Sequence, residues 1–159
     1  MSGYEADGSA LAALCAECKG RCCRGHYIML SKKDLQRLAG NGPFATISID
    51  SPAGCRIEAL DALSEGACPF LSPAGCVLPK EKRPLVCRLF PLTYALAGKE
   101  IIFRISPKCP HAAEAERLES WVSETRKTAL EELRCDWTKK EIRAYGLLLG
   151  KSRKGSLGL

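Results

Sequence analysis

Apolar positions spaced three and four residues apart predict a helix near the start of the chain. Leu11, Leu14, Cys15 and Cys18 follow the i, i+3, i+4, i+7 spacing of one helical face. Ser9 precedes this run and is a residue type that caps helices, so we predict that the helix begins there. The same spacing places both cysteines on one side of the helix.

A longer helical pattern occupies the C-terminal third. Between residues 112 and 134 the apolar positions form one stripe among charged residues: Leu118, Trp121, Val122, Thr125, Ala129 and Leu133. Thr138-Lys-Lys-Glu141 has the form of a capping box and predicts a further helix through Leu149. The two segments together predict a C-terminal helical hairpin.

The middle of the chain alternates short apolar runs with turn residues, which is typical of strands. Strands are predicted at 26–30, 45–49 and 56–60, and a hairpin joins 92–96 to 100–105. Ser31-x-x-Asp34 predicts a capped helix that ends at Gly40. Strands and helices in separate segments indicate an α+β fold.

The length of the chain predicts one domain, and its net charge predicts a modestly basic surface. The chain has 159 residues and a formal net charge of +6. We predict a single domain over residues 1–150 and a flexible basic tail over 151–159. No apolar run approaches the roughly 18 residues that span a bilayer, and the N-terminus lacks the basic start of a signal peptide. We therefore expect a cytoplasmic protein that is not associated with a membrane.

Ten cysteines change this picture. Several lie in one short run, Cys15-Ala-Glu-Cys18-Lys-Gly-Arg-Cys22-Cys23, and thiolates are good ligands for zinc and for iron–sulfur clusters. The two histidines are too few for a histidine-rich site. The candidate metal ligands are Cys15, Cys18, Cys22, Cys23, Cys68, Cys76, Cys87 and Cys109. Two four-thiolate sites or one multi-iron cluster both satisfy this inventory, and either would staple the small domain.

Turn signals place the later candidates at breaks between elements. The sequence Ser-Pro-Ala-Gly at 72–75 predicts a turn that brings Cys68 near Cys76. Pro84 predicts the first residue of a short helix that carries Cys87 and stops before the next proline. The candidate ligands therefore come from several segments of the chain.

Disulfides and redox chemistry are the rival explanations for these cysteines. Disulfides require an oxidising compartment, and the neighbours Cys22 and Cys23 are poorly placed to bond to each other. Residues 15–18 have the spacing of a thiol redox pair, but the preceding strand of a thioredoxin-like site is missing. Cys55 and Cys135 lie in apolar or helical surroundings, and we predict both as core residues.

Basic residues accompany the candidate ligands. Four thiolates around a divalent ion leave a net negative charge, which positive neighbours offset. We predict this role for the cations beside the cysteines: Lys19, Arg21, Arg24, Arg88 and Lys108.

Several motifs occur in a fixed order along the chain. The opening cluster at 15–23 is followed by Cys68-Pro-Phe-Leu, Gly75-Cys76 and Arg83-Pro84-x-x-Cys87-Arg88, and then by Lys108-Cys109-Pro110. In this order the chain resembles the YkgJ-like CxxCxxCC cysteine-cluster proteins, a family of zinc- or iron-chelating domains. The opening cluster has one residue more in its second gap than the pattern that names the family. The resemblance covers about residues 15–110 and leaves the helical third uncovered.

Metal binding is what the resemblance implies. We prefer an iron–sulfur cluster over zinc or iron ions because the cysteines are numerous and lie in loops. The leading hypothesis is therefore a small cytoplasmic α+β protein that binds an iron–sulfur cluster, or zinc or iron ions, through these cysteines. Flagellin lysine methylases carry a similar cluster, so a redox role or a cluster-assisted modification follows as a second hypothesis, with Arg83, Arg88 and Phe90 tuning the site. The alternative is a zinc-stapled module that binds protein or nucleic acid without catalysis. No pattern identifies catalytic residues, and the substrate or protein partner is unknown.

Overall fold

The computed structural model describes residues 2–155, with the side chains of residues 2–148. This part of the chain forms six α-helices and seven strands. The helices are α1 (Gly3–Cys18), α2 (Lys32–Leu38), α3 (Leu85–Leu89), α4 (Ala112–Glu116), α5 (Glu119–Asp136) and α6 (Lys139–Gly155). The strands are β1 (Tyr27–Leu30), β2 (Ile47–Asp50), β3 (Arg56–Asp61), β4 (Leu71–Ser72), β5 (Gly75–Cys76), β6 (Leu92–Ala97) and β7 (Glu100–Ile105). The predicted α+β class is confirmed.

The first helix begins earlier than predicted. Ser2, rather than Ser9, caps α1, because the Glu5 amide donates to the Ser2 hydroxyl and the Ser2 amide donates to the Glu5 carboxylate at 2.7 Å. This reciprocal pair satisfies two backbone donors at the helix end, whereas Ser9 lies within the helix. The residues of the predicted face are helical, and Leu11 is the one that is fully buried.

β3 is the central strand of a three-stranded antiparallel sheet with the order β1-β3-β2. Met29 lies opposite Ala59, and Ile49 lies opposite Ile57. The three predicted strands are confirmed to within two residues at each end. The predicted capping box at the start of α2 is also confirmed, because the Ser31 and Asp34 side chains each accept a hydrogen bond from the other residue's amide.

Two hairpins complete the strands. The predicted hairpin of β6 and β7 pairs Leu92 with Ile105 and closes at Gly98 and Lys99. The predicted turn at 72–75 joins β4 to β5, where the Ser72 hydroxyl donates to the Gly75 carbonyl at 2.8 Å. Gly75 has a φ of 108°, which favours glycine.

The C-terminal third contains the predicted helical pair with one break more than expected. The segment 112–134 divides into α4 and α5 at Leu118, which has a φ of −83° and a ψ of 66° and precedes α5. The predicted capping box between Thr138 and Glu141 begins α6. Helix α5 packs against α1, whereas α6 packs against β6. The two helices therefore pack mainly against different elements.

Helix α6 runs to Gly155, beyond the predicted end at Leu149. It includes the first part of the segment predicted as a tail, and residues 156–159 of that segment lie outside the described residues. Among the helices that the structure describes, none has the length and apolar content needed to cross a membrane.

Three groups of buried residues form the interior. The sheet core lies between the three-stranded sheet, α2 and the loop before β4, and consists of Ile28, Leu30, Leu38, Leu60, Ala62, Cys68, Phe70 and Leu78. The α6 core lies between α3, α5, α6 and β6, and includes Leu85, Leu89, Tyr94, Leu133, Ile142 and Tyr145. A third group joins α1 to α5 through Leu11, Leu92, Ala115 and Trp121. Helix α3 lies between the first two cores, because Val86 packs against both.

Candidate metal centre

Helix α1 ends in the first two candidate ligands. Cys15 is exposed and Cys18 is half-buried at the last helical position. Lys19 and Gly20 then adopt left-handed conformations, with φ values of 49° and 77°, and these reverse the chain. A side chain at position 20 would place its Cβ 2.7 Å from Leu71 Cδ1, so glycine lets the turn approach β4 without displacing the Leu71 side chain.

The reversal leads into a single 3-10 turn, Arg21–Cys23, which holds the adjacent cysteines. The sulfur atoms of Cys22 and Cys23 are 4.0 Å apart and share a hydrogen bond. This contact lowers the pKa of Cys22 to about 7, since a thiolate at Cys22 accepts a hydrogen bond from the Cys23 thiol, and nearby Arg83 acts in the same direction. The same contact raises the pKa of Cys23, and burial raises it further.

The β4–β5 hairpin brings two later cysteines to this turn. The amide of Cys68 donates to the carbonyl of Cys23 at 2.7 Å, which joins the loop before β4 directly to the adjacent pair. Cys76 lies opposite Leu71 in the hairpin. The prediction that the turn brings Cys68 near Cys76 is supported by their electrostatic interaction, which contributes to a raised pKa of Cys68 after the larger effect of burial.

Helix α3 supplies Cys87 to the same group of cysteines. Pro84 immediately precedes this helix rather than being its first residue, and Phe90 follows its last residue. Burial raises the pKa of Cys87 well above its ordinary value, and the thiols of Cys68, Cys22 and Cys76 add to this effect.

Cys109 lies in the turn that follows β7. Its amide donates to the carbonyl of Ser106 at 3.1 Å, and its carbonyl accepts from Ala112 at the start of α4. Burial raises the pKa of this thiol, and Cys18, Cys22 and Glu114 contribute through their charge. The strands of the second hairpin thus return the chain to the end of α1.

Four of the candidate ligands share the sheet core. Cys68 is one of its buried members, and Cys23, Cys76 and Cys87 pack against it. The same four thiols influence one another electrostatically, as the causes of the raised pKa values of Cys23 and Cys87 show. We call Cys23, Cys68, Cys76 and Cys87 the inner group.

The other four candidates lie around the end of α1, and Cys15 is the exposed member of this set. Burial raises the pKa of Cys15 to about 11, and the next contributions come from Cys18, Cys22 and Cys109. Cys18 and Cys22 in turn influence Cys109. We call Cys15, Cys18, Cys22 and Cys109 the outer group. Cys22, a member of the outer group, also contacts the inner group through Cys23.

All eight predicted ligands therefore come together in one region, but the sulfurs do not form a closed coordination sphere. Among the described residues, no set of three or more histidine, cysteine or carboxylate side chains has an arrangement that holds a metal ion. The donor set itself is composed of thiols, which suit zinc and iron. Repulsion among crowded thiolates raises their pKa values, and a bound cation would remove that repulsion.

The basic residues differ in their relation to the thiols. Arg83 is the cation that acts on Cys22, and its Nε donates to the Leu78 carbonyl at 3.0 Å. Arg88 Nη2 instead lies 2.8 Å from Glu132 Oε2 on α5, at an angle that makes no hydrogen bond. The structure thus places Arg83 at the site and directs Arg88 to a contact between helices.

The two remaining cysteines differ from each other. Cys55 is half-buried and packs against the α6 core, which agrees with the prediction of a core residue. The same prediction for Cys135 is wrong, because its side chain is exposed on α5, two residues after Leu133, the last residue of the buried stripe. All ten cysteines are free thiols in the structure.

The two histidines lie at the edge of the outer group. His26 Nδ1 is 2.8 Å from the Arg24 carbonyl, and burial lowers the pKa of this imidazole, with Lys108 acting in the same direction. His111 lies between two carboxylates, 3.7 Å from Glu17 and 3.9 Å from Glu114. His111 therefore connects the end of α1 to α4.

A match to a protein-family model covers residues 14–143, and its description is "CxxCxxCC: putative zinc- or iron-chelating domain". The chain belongs to the CxxCxxCC family. The matched span contains every candidate ligand and extends through α5 into α6, so the family domain includes the helical third that the motifs alone did not cover. No curated protein and no solved structure matches the chain.

Sequence reasoning missed two buried groups near the CxxCxxCC thiols. Asp34 is completely buried, and its carboxylate accepts a hydrogen bond from the Leu85 amide at 2.9 Å at the start of α3. Tyr94 is buried in the α6 core with a hydroxyl that lacks a hydrogen-bond partner among the described residues. The capping box identified Asp34, but its contact with a residue 51 positions away has no local signal.

Proposed function

We propose that this CxxCxxCC protein binds metal at two thiolate centres, one formed by the inner group and one by the outer group. The observation that supports this division is the common packing of Cys23, Cys68, Cys76 and Cys87 with the sheet core. The outer thiols lie together outside that core. Each group contains four cysteines, the ligand number of structural zinc sites and of common iron–sulfur clusters.

Metal binding at these centres would be coupled to folding. The inner group joins the turn after α1, the β4–β5 hairpin and α3, whereas the outer group joins α1 to the turn after β7. Without a cation, several of these thiols have raised pKa values because burial and neighbouring thiols disfavour the charged form. Binding would release their protons and fix the connecting segments.

An iron–sulfur cluster is our preferred cofactor, and zinc or iron ions are the alternative. Ligands in loops and short elements are typical of iron–sulfur sites. Cys15 is exposed, so electrons or a substrate could reach the site there. We infer that a redox step or a cluster-assisted modification is the function of an iron–sulfur form. Cluster-bound sulfide would distinguish this form from zinc.

The two-centre assignment is tested with one cysteine variant in each group. Cys18→Ala removes an outer ligand, Cys76→Ala removes an inner ligand, and Cys135→Ala makes the same change at an exposed cysteine outside both groups. Each protein is purified anaerobically and assayed for iron, zinc and acid-labile sulfide per chain. We expect each ligand variant to lose about half of the metal and the control to lose none.

Two results would contradict the assignment. Wild-type metal content in both ligand variants would exclude these cysteines as ligands. Complete loss from each variant, while circular dichroism shows that both remain folded, would indicate one cluster shared by all eight thiols instead of two centres.

The second candidate function is a zinc-stapled module that binds nucleic acid or protein. Lys19, Arg21 and Arg24 are exposed around the outer group and make no ion pair within the part of the chain that the structure describes. Such cations bind phosphates in a salt-dependent manner. A DNA or RNA mobility shift that disappears with Arg21→Ala and Arg24→Ala would favour this function, whereas a shift abolished by deletion of 151–159 would assign it to the tail alone.

A cytoplasmic location agrees with reduced thiols at both centres and is part of the proposal. Expression of the chain in a reducing and in an oxidising compartment tests it. Metal retained only in the reducing compartment is the expected result.

A further inference from the structure

The N-terminus of helix α5 is capped by a residue of another helix. Leu118 occupies the N-cap position of α5, and its side chain makes no capping hydrogen bond. Asp7 on α1 takes this role, because its Oδ2 accepts from the amides of Ser120 and Trp121 at 3.0 and 3.2 Å. These amides belong to the second and third residues of the helix, and they are the donors that an N-cap side chain ordinarily satisfies. The negative charge of the carboxylate also suits this end of a helix.

The same contact holds α1 in place. Helix α1 packs mainly against α5. Gly3 lets the starts of the two helices approach closely, since an added Cβ would lie 2.8 Å from the Ser120 hydroxyl oxygen. Leu11 is the one residue of α1 that is fully buried, and it belongs to the third group of buried residues together with Trp121. Because α1 has only one fully buried side chain, the two hydrogen bonds of Asp7 are a substantial part of its attachment.

Asp7 and two of the outer ligands belong to the same helix. Asp7, Leu11, Leu14 and Cys18 follow the i, i+4, i+7, i+11 spacing of one helical face, and all four are buried or half-buried. Cys18 lies about 16 Å from Asp7 along the helix axis. Because its backbone hydrogen bonds keep a helix stiff over this length, a change of tilt at Asp7 moves the sulfurs of Cys15 and Cys18 at the other end.

We propose that Asp7 is a positioning residue of the outer centre, because by capping α5 it holds α1 where Cys15 and Cys18 meet the two outer ligands of other segments. This inference rests on the proposed function, in which the outer group binds a metal of its own. Asp7 lies too far along the helix to contact that metal, so it acts only through the placement of α1. The inner group takes no ligand from α1 and should not depend on Asp7.

Asp7→Ala tests this role in two backgrounds. Cys76→Ala leaves the outer group complete, and Cys18→Ala leaves the inner group complete. Cobalt is titrated into each metal-free chain under reducing conditions and followed by its thiolate-to-cobalt charge-transfer absorption. We expect Asp7→Ala to weaken cobalt binding about tenfold in the Cys76→Ala background and to leave it unchanged in the Cys18→Ala background.

Two further variants separate positioning from a general loss of stability. Asp7→Asn keeps a side-chain oxygen that accepts from the α5 amides, so it should retain most of the cobalt affinity. Thr138→Ala removes a cap from α6, which carries no candidate ligand and in which the Glu141 amide donates to the Thr138 hydroxyl at 3.2 Å. Thr138→Ala should lower the free energy of unfolding about as much as Asp7→Ala but should leave cobalt binding by the outer group unchanged.

A reciprocal measurement needs no change at position 7. Coupling between two sites acts equally in both directions, so metal at the outer group should stabilise the cap of α5. In the Cys76→Ala chain, cobalt should slow hydrogen exchange of the Ser120 and Trp121 amides, which donate to Asp7. In the Cys18→Ala chain, cobalt should leave the exchange of both amides unchanged. This measurement decides the proposal even if Asp7→Ala fails to fold.

Three results would overturn the positioning role alone. These are equal cobalt affinity with and without Asp7→Ala in both backgrounds, an equal loss of affinity in both backgrounds, and exchange of the Ser120 and Trp121 amides that does not respond to cobalt. A loss of outer-group affinity in Thr138→Ala as large as that in Asp7→Ala would do the same. Absence of cobalt binding before Asp7 is changed would instead refute the proposed function and this inference with it, so the two failures are distinguishable.

Discussion

Gly20 is the residue at which the end of α1 approaches the β4–β5 hairpin. Its φ of 77° is unfavourable for residues with a side chain, and an added Cβ would lie 2.7 Å from Leu71 Cδ1. Gly25 has a similar φ of 70° but has nothing within 4 Å of an added Cβ. Substitutions at the two glycines therefore separate two effects on stability, that of the backbone conformation and that of the close contact with Leu71.

Gly20→Ala should destabilise the protein more than Gly25→Ala. The left-handed conformation costs about 1 kcal/mol at either position, and displacement of Leu71 from the sheet core should add about 1 kcal/mol at position 20. Urea unfolding of both variants measures the difference. Equal unfolding free energies would show that the contact with Leu71 contributes nothing.

At the scale of elements, Asp34 connects three helices. It caps α2 through the Ser31 amide, accepts from the first amide of α3 at 2.9 Å and pairs with Arg37, which also binds Asp136 on α5. Because Cys87 lies two residues after Leu85, this carboxylate helps to fix the position of a candidate ligand with which it makes no hydrogen bond. The sequence indicated the cap, but the link to α3 arises only from the tertiary fold.

Asp34→Asn should lower the unfolding free energy by about 2–4 kcal/mol, because an amide NH₂ would face one of the backbone donors and leave it unsatisfied. Asp50→Asn is a matched control, since Asp50 pairs with Arg56 at 2.8 Å on an exposed surface. Chemical denaturation should show little change for the control. A small effect of Asp34→Asn would mean that α3 is held mainly by its apolar contacts.

At the scale of the whole molecule, the two proposed centres would join segments that are far apart in the sequence. The outer group would connect α1 with the turn after β7, and the inner group would connect the first half of the chain with α3. Removal of metal with a chelator under reducing conditions should therefore lower the thermal midpoint by several degrees. Re-addition of the metal should restore it, and a midpoint that does not respond would show that the fold is independent of metal.

The sequence predicted the local parts of this architecture because their signals are local. Capping boxes, turn residues and the α5 stripe identified most elements, and cysteine motifs identified the candidate ligands. The division of those ligands was not predictable, since it depends on contacts such as the one between Cys68 and Cys23. The cap at Ser2 was missed although Ser2 and Glu5 have the spacing of a capping box, and Cys135 was assigned to the core although it lies off the buried stripe of α5.

The most direct test of the central claim is the metal and sulfide content of the anaerobically purified wild-type chain. Two four-thiolate centres predict about two zinc ions per chain without sulfide, or about eight iron and eight sulfide if both hold four-iron clusters. The iron–sulfur form, which we prefer, would also be brown and would bleach on reduction. Less than one metal ion per chain, from cells supplied with both metals, would contradict the account.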